Sequence, residues 1–257
     1  MNSTRTTGSK NSYAEIARQS RIKVLELIYK AQTSHIGSNF SCADILAVLF
    51  EKIDLNKDRF VLSAGWKAAM LYYHLWRKGR ITEEELNSYC QPGSKFIGLA
   101  EPIHPDIPLA GGSMGLGLPG AVGLALAKKL KGEDGKVYVL MSDGELQIGT
   151  TWEAMLIAEQ HKLDNLKVLI DENGFQAMGK TKDVLGVPRD TFVSWGGAWF
   201  YDGHNYSEIE RALESTNRFL FFETIKGKGV SFMENENIWH YQHINEETLN
   251  KALKELK

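Results

Sequence analysis

Hydrophobic and polar positions follow two rhythms along this chain. Short apolar runs at 59–63, 136–141, 166–170, 198–201 and 219–223 have the length of strands and are too brief for buried helices. Between them, apolar residues recur at helical spacing. Ile16, Ile22, Leu25 and Ile28 share one face, and Ile45, Leu46, Val48 and Leu49 make another such group. Helices are also predicted over 67–78, over the small-residue stretch 115–130, over 152–162, from Asn205 onward, and over 245–257 as an amphipathic terminal helix. Ser12 with Glu15 and Thr82 with Glu85 have capping-box spacing. Ser41 with Asp44, Thr150 with Glu153 and Asn205 with Glu208 read as further helix starts. Residues 91–113 hold Pro92, Pro102, Pro105 and Pro108 and little periodicity. So long an irregular segment in a compact domain usually binds something. Strands alternating with helices predict an α/β fold, a doubly wound, mostly parallel sheet with helices on both faces. No low-complexity linker interrupts 12–240, so one domain is expected over 1–257, with 1–11 as a flexible tail.

Two of the apolar runs end in polar clusters. The run 136–141 leads into Ser142-Asp143-Gly144-Glu145, and 166–170 leads into Asp171-Glu172-Asn173-Gly174-Phe175-Gln176. If the runs are neighbouring parallel strands of a βαβ unit, both clusters sit at strand carboxyl ends, where open α/β sheets bind ligands. Asp143 and Asn173 then offer a carboxylate and an amide oxygen, hard ligands suited to Mg²⁺ or Ca²⁺ carrying a phosphate. A lone aspartate at a strand end is more often a turn or helix cap; its pairing with Asn173 favours the metal. Gly144 admits a phosphate close to the backbone, with its amide as a donor. Gly115-Leu116-Gly117-Leu118-Pro119-Gly120 matches a dinucleotide-binding pattern, but it follows a poor strand and lies outside a tight βα turn.

Asp-Gly-Glu followed about thirty residues later by Asn resembles the thiamine diphosphate signature. The intervening Gly149-Thr150-Thr151-Trp152-Glu153-Ala154 resembles that of transketolases. The likeness runs from Ser34-His35-Ile36-Gly37 to Lys226-Gly227-Lys228-Gly229-Val230-Ser231-Phe232-Met233-Glu234, and is to the amino-terminal, diphosphate-binding half, especially where that half is a separate subunit. The resemblance implies a thiamine diphosphate-binding fold. It also implies Mg²⁺ (or Ca²⁺) held by the Asp143 carboxylate, the Asn173 amide oxygen, the Phe175 carbonyl, two diphosphate oxygens and a water. Glu145 would lie on the diphosphate side, and Gly112 and Met114 against the thiamine rings. His35 would face the reacting carbons of the donor and move a proton at its hydroxyls, as a neutral imidazole can near pH 7. His240 would lie near the diphosphate and substrate, with His243 competing for that role. The aminopyrimidine-activating glutamate belongs to a second domain of the family. The implied partner is therefore a subunit carrying the pyrimidine-binding and C-terminal domains, in an α₂β₂ heterotetramer acting on a small-molecule donor and acceptor.

Composition narrows the rest. The chain has 257 residues, enough for one good core, and its net charge is −2 with the charges interspersed. That excludes a basic nucleic-acid stripe, and no apolar run is long enough to span a bilayer. Cys42 and Cys90, the only cysteines, form neither a disulfide framework nor a zinc motif, so a cytoplasmic setting is the default. The polar start has no apolar core of a secretory signal.

Three positions depart from the family pattern. Trp66 and Leu99 stand where histidines are usual, with His104 a substitute in the loop, and Ile148 replaces an acidic residue. Loss of imidazoles and gain of apolar surface imply a substrate less sugar-like than in central metabolism, such as a short α-keto acid in place of a ketose phosphate. Drift within an ordinary transketolase is the equal alternative, and a degenerate, non-catalytic or regulatory cofactor-binding partner is the other functional class.

Overall fold

The apolar runs pair into one sheet because strands this hydrophobic must bury both faces. The computed structural model describes residues 10–187, 189–193 and 198–257. Strands β1 (Arg59–Leu62), β2 (Val137–Ser142), β3 (Leu166–Glu172), β6 (Ala198–Asp202) and β7 (Phe219–Glu223) form a parallel sheet in the order β1-β2-β3-β7-β6. A small antiparallel hairpin, β4 (Phe175–Gln176) and β5 (Gly179–Lys180), follows β3. The five main strands are the five predicted.

Alternate side chains along each strand feed separate cores. Phe60, Leu62, Leu140, Leu169, Leu220 and Phe222 face α1 (Lys10–Ala31), α3 (Ala43–Lys52), α4 (Ala68–Arg77), α10 (Tyr206–Glu214) and α11 (Glu246–Leu256). Val61, Val139, Met141, Val168, Ile170 and Phe221 face α6 (Gly117–Lys131) and α7 (Gly149–Gln160). Each such side chain contributes about 1.5–3 kcal/mol by leaving water. The fold is therefore the doubly wound α/β sheet expected. Handedness explains the two layers. The chain steps β1→β2→β3 in one direction and β6→β7 in the other, and right-handed crossovers put α7 and α10 on opposite faces. The reversal creates a topological switch point between β3 and β7, at whose carboxyl ends a ligand crevice opens.

Shorter elements complete the layers: α2 (Ile36–Ser41), α5 (Glu83–Asn87), α8 (Thr181–Leu185) and α9 (Asp190–Val193). Thr82 and Glu85 close the predicted capping box on α5, and Asn205 and Asn245 cap α10 and α11 with their side chains. Three predicted starts are corrected. Ser12 lies inside α1, which already includes Lys10 and Asn11 of the expected tail, and Glu15 pairs with Arg18 and Gln19 one turn on; residues 1–9 of that tail lie outside the described residues. Ser41 ends α2 and Asp44 binds Arg21 at 2.5 Å, so neither caps α3. Thr150 is within α7 and its hydroxyl donates to the Gly115 carbonyl at 2.7 Å. At Asp44 and Thr150 a tertiary partner outcompetes the local cap, and at Glu15 the next helical turn does. The small-residue character of α6 has a use: a Cβ on Gly117 would collide with Ser63 beyond β1, so only glycine allows this approach.

Candidate functional site

At the tips of β2 and β3 the register sets Ser142 beside Asp171, which brings Asp143, one residue on, and Asn173, two residues on, to the same end of the sheet. Both line one cleft of about 530 Å³ at the switch point, together with Phe175, Thr181, Arg189 and Thr224. Asp143 opens a 3₁₀ turn, Asp143–Gln147, and is 4 % exposed. Its Oδ1 accepts the Gly144 N–H at 3.0 Å. Its Oδ2 accepts the Gly174 N–H at 3.0 Å and the Thr181 hydroxyl at 2.8 Å. Burial raises its pKa to about 6, the Thr181 bond opposing and the nearby Asp171 charge adding to the rise. A carboxylate so raised, on the wall of a cleft, is an anion without its countercharge.

Asn173 is anchored through its nitrogen, which donates to Asp171 at 3.3 Å and to Ser41 at 3.5 Å. Its Oδ1 accepts the Phe175 N–H at 3.1 Å and keeps a second lone pair. Behind it lies a buried ion pair: Lys67 and Asp171 are both fully buried and in direct contact, and Asp171 also accepts from Ser41 and Thr224. Burial opposes ionisation of Asp171, but the Lys67 ammonium together with the hydrogen bonds from Lys67, Ser41 and Thr224 lowers the carboxyl pKa. Among the described residues no three His, Cys, Asp or Glu side chains converge on a metal site. A cation here would use one carboxylate with amide and carbonyl oxygens, leaving positions for phosphate. That donor set fits Mg²⁺ held against a diphosphate.

The histidines form a second cluster. His35 caps α2 in the left-handed region (φ 69°), a strained conformation held by its own N–H donating to the His240 carbonyl at 3.0 Å. The two imidazole rings lie 4.9 Å apart. His240 Nδ1 is 2.9 Å from Lys226 Nζ, which also donates to Asn237 and lies 5.5 Å from the Phe175 ring centre. Lys226 thus links the histidine pair to the cleft. Burial first, then the Lys226 charge, lowers His35 to about 4 and His240 to about 3. Burial lowers Lys226 itself to about 8, against the pull of Asp143. At pH 7 both rings are neutral, and because an ammonium only donates, His240 accepts at Nδ1 and carries its hydrogen on Nε2.

The remaining expected site residues divide. Gly112 (φ +101°) packs under Leu99, where a Cβ would come within 2.8 Å of a leucine methyl. The half-exposed Met114 places its methyl over Gly144, 3.5 Å from where a Cβ there would be. Glu145 does not offer its carboxylate to the cleft. It is fully buried, and its oxygens accept from Ser63, from the Gly115 N–H at 3.2 Å and from the Ser142 N–H at 2.9 Å. It fastens the glycine-rich segment to the tip of β2. The Gly144 amide is likewise engaged, by Asp143. His104 has a local partner, accepting the Asp106 N–H at 3.2 Å, and His243 is exposed, so His240 is the member of that pair in the cluster. Sequence reasoning missed Lys67, Thr181, Lys226 and Tyr241. Lys226 opens a stretch already singled out, but its partners lie on other elements.

A cleft at the switch point of a parallel sheet, walled by Asp143 and Asn173 and near a pair of neutral histidines, is the arrangement of a ligand-binding α/β protein. Comparison with known proteins makes this specific. The model of the family "Transketolase, thiamine diphosphate binding domain" matches residues 12–256, and the chain belongs to that family. It is 35% identical over 260 residues to an apulose-4-phosphate transketolase subunit from Phocaeicola vulgatus, covering 93% of this chain and 92% of that one. It is 34% identical over 259 residues to a 6-deoxy-6-sulfo-D-fructose transketolase subunit of a Clostridium species, covering 91% and 92%. The transketolase crystal structure from Campylobacter jejuni superposes with a TM-score of 0.89 at 30% identity, covering 96% of this chain and 43% of that one. The chain therefore spans less than half of that transketolase.

Proposed function

We propose that this chain is the thiamine diphosphate- and Mg²⁺-binding subunit of a two-component, cytoplasmic transketolase, which moves a two-carbon ketol unit from a ketose donor to an aldehyde acceptor in an α₂β₂ assembly. One observation carries the reading: Asp143 and Asn173 share the switch-point cleft, and Lys226 ties the His35–His240 pair to it. The Asp143 carboxylate, the Asn173 oxygen and the Phe175 carbonyl would hold the cation, with Gly112 and Met114 against the cofactor rings. Bound there, thiamine diphosphate supplies the carbanion-stabilising centre. The protein's task is then proton handling. As the bond between the donor's carbonyl carbon and its hydroxyl-bearing neighbour breaks, that hydroxyl loses a proton. As the carbonyl carbon bonds to the acceptor's aldehyde carbon, the aldehyde oxygen gains one. Neutral His35 and His240 can accept and return it because burial and Lys226 keep them uncharged.

Two relatives bear the names of transketolase subunits, and this chain aligns with 92% of each, which supports a second polypeptide with the pyrimidine-binding and C-terminal domains. Their named sugars favour a modified ketose over a short α-keto acid as donor. Trp66, its ring 6.4 Å from His35, occupies space an imidazole would otherwise use for a hydroxyl. The experiment is reconstitution. The chain with Mg²⁺ and thiamine diphosphate should give no multiple turnover until the partner polypeptide is added. Sustained turnover of xylulose 5-phosphate by the isolated chain would refute the two-component reading.

A further inference from the structure

Around the histidine pair stands a ring that the transfer chemistry does not use. Tyr241 follows the short helical turn Asn237–His240 and is 58% exposed. Its ring centre is 5.5 Å from His35 at 77° and 4.6 Å from His240 at 62°, edge-on to both imidazoles. Trp66 is also near His35, half-buried and with its ring centre at 6.4 Å. Lys226 contacts His240 Nδ1, and the His240 carbonyl accepts the His35 N–H. The pair is therefore in contact with one large aromatic that is itself mostly exposed to solvent. An exposed ring held against one buried and one half-buried imidazole shapes what reaches them.

We propose that Tyr241 is a specificity-determining residue that limits the chain length of the acceptor. This rests on the functional reading above, in which the two imidazoles serve the carbon where the bond is made. Whatever extends from that carbon toward solvent must pass the Tyr241 ring. The longer the acceptor chain, the more of it must pass the ring, so short aldehydes are favoured over a five-carbon aldose phosphate. The selection is steric and apolar, so the hydroxyl of Tyr241 is not needed. Excluding a longer chain by filling space is the stronger form of discrimination open to an apolar wall, which rejects by size and not by unpaired polar groups.

The test uses the assembled two-component enzyme with thiamine diphosphate and Mg²⁺, and hydroxypyruvate or xylulose 5-phosphate as donor. Glycolaldehyde, glyceraldehyde 3-phosphate, erythrose 4-phosphate and ribose 5-phosphate are compared as acceptors by kcat/KM. The wild type should favour glyceraldehyde 3-phosphate over ribose 5-phosphate by about tenfold or more. Tyr241→Ala should cut that preference at least about tenfold by gaining on ribose 5-phosphate, and Tyr241→Phe should keep it within about twofold. A Tyr241→Ala preference within about twofold of wild type, or a wild type that prefers ribose 5-phosphate, overturns the proposal. Since the ring is exposed, the variant should keep the wild-type melting temperature and cofactor affinity. A loss of either, with the preference unchanged, assigns Tyr241 a structural role and overturns it equally. No transfer to any acceptor by the wild-type assembly, from these donors or from apulose 4-phosphate or 6-deoxy-6-sulfofructose, would overturn the functional reading itself, and the chain-length limit with it.

Discussion

Replacing Lys67 by Met tests how the site is held together. Lys67 and Asp171 are 0% exposed and joined directly, 104 residues apart in sequence. Met matches the aliphatic stem and removes only the charge. Asp171 would keep its bonds from Ser41, Thr224 and Asn173, so the lost term is the ammonium, not every partner. Breaking a buried ion pair from one side costs about 3–5 kcal/mol, because the remaining charge has no water to turn to. At a urea slope near 3 kcal/mol/M this lowers the unfolding midpoint by roughly 1–1.7 M. The sign of the pH dependence follows from the same contact. With Lys67 present the Asp171 pKa is lowered, so its contribution is present above the unfolded carboxylate value and lost as pH falls through the folded one. In Lys67→Met the buried carboxylate favours its protonated form, so the variant's deficit should be largest at neutral pH and shrink toward pH 4. Urea unfolding followed by tryptophan fluorescence at both pH values measures it. A loss below about 1 kcal/mol at pH 7, or a deficit that does not shrink with acid, would refute the account.

Further outcomes follow from other contacts. Asp143→Ala should abolish Mg²⁺-dependent cofactor binding by calorimetry while leaving the chain folded. In the wild type that binding should weaken as pH falls through about 6, because the cation needs the deprotonated carboxylate. His74 is fully buried, stacked on Phe50 at 4.9 Å, with neither ring nitrogen hydrogen-bonded. Its pKa lies well below the ordinary value through burial, so unfolding takes up a proton and wild-type stability falls as pH drops below about 6.5. His74→Leu should flatten that acid slope and raise stability at pH 6 by about 1–2 kcal/mol, since an unsatisfied buried polar group is removed; an unchanged denaturation profile would contradict this. Gly117→Ala drives a methyl into Ser63 and should cost about 1–3 kcal/mol in thermal or urea unfolding, whereas Gly123→Ala, with open space around it, should cost nothing or stabilise.

Much of the site was legible in the chain because its signals are local. A buried parallel strand is a short apolar run, and its carboxyl end is the next polar residue, so Asp143 and Asn173 could be placed from the sequence. The strands, the capping box at Thr82 and the amphipathic end helix were read for the same reason. Caps at Ser12, Ser41 and Thr150 were misread because their oxygens, or those of their proposed partners, find closer or stronger bonds elsewhere. Glu145 was assigned to the cofactor by its place in a motif, yet three donors turn it inward.

The sequence by itself determined the α/β class, the order of strands and helices, and the pairing of a carboxylate with an amide at successive strand tips. Each depends on periodicity and adjacency within a few residues, which a linear pattern records. Only the tertiary structure decided that the chain reverses between β3 and β7, that Lys67 pairs with Asp171, and that burial, with Lys226 adding to it, keeps two histidines uncharged beside the exposed ring of Tyr241. Those contacts join residues far apart in sequence, and their energies come from burial and the lowered dielectric inside the fold, which no local pattern encodes.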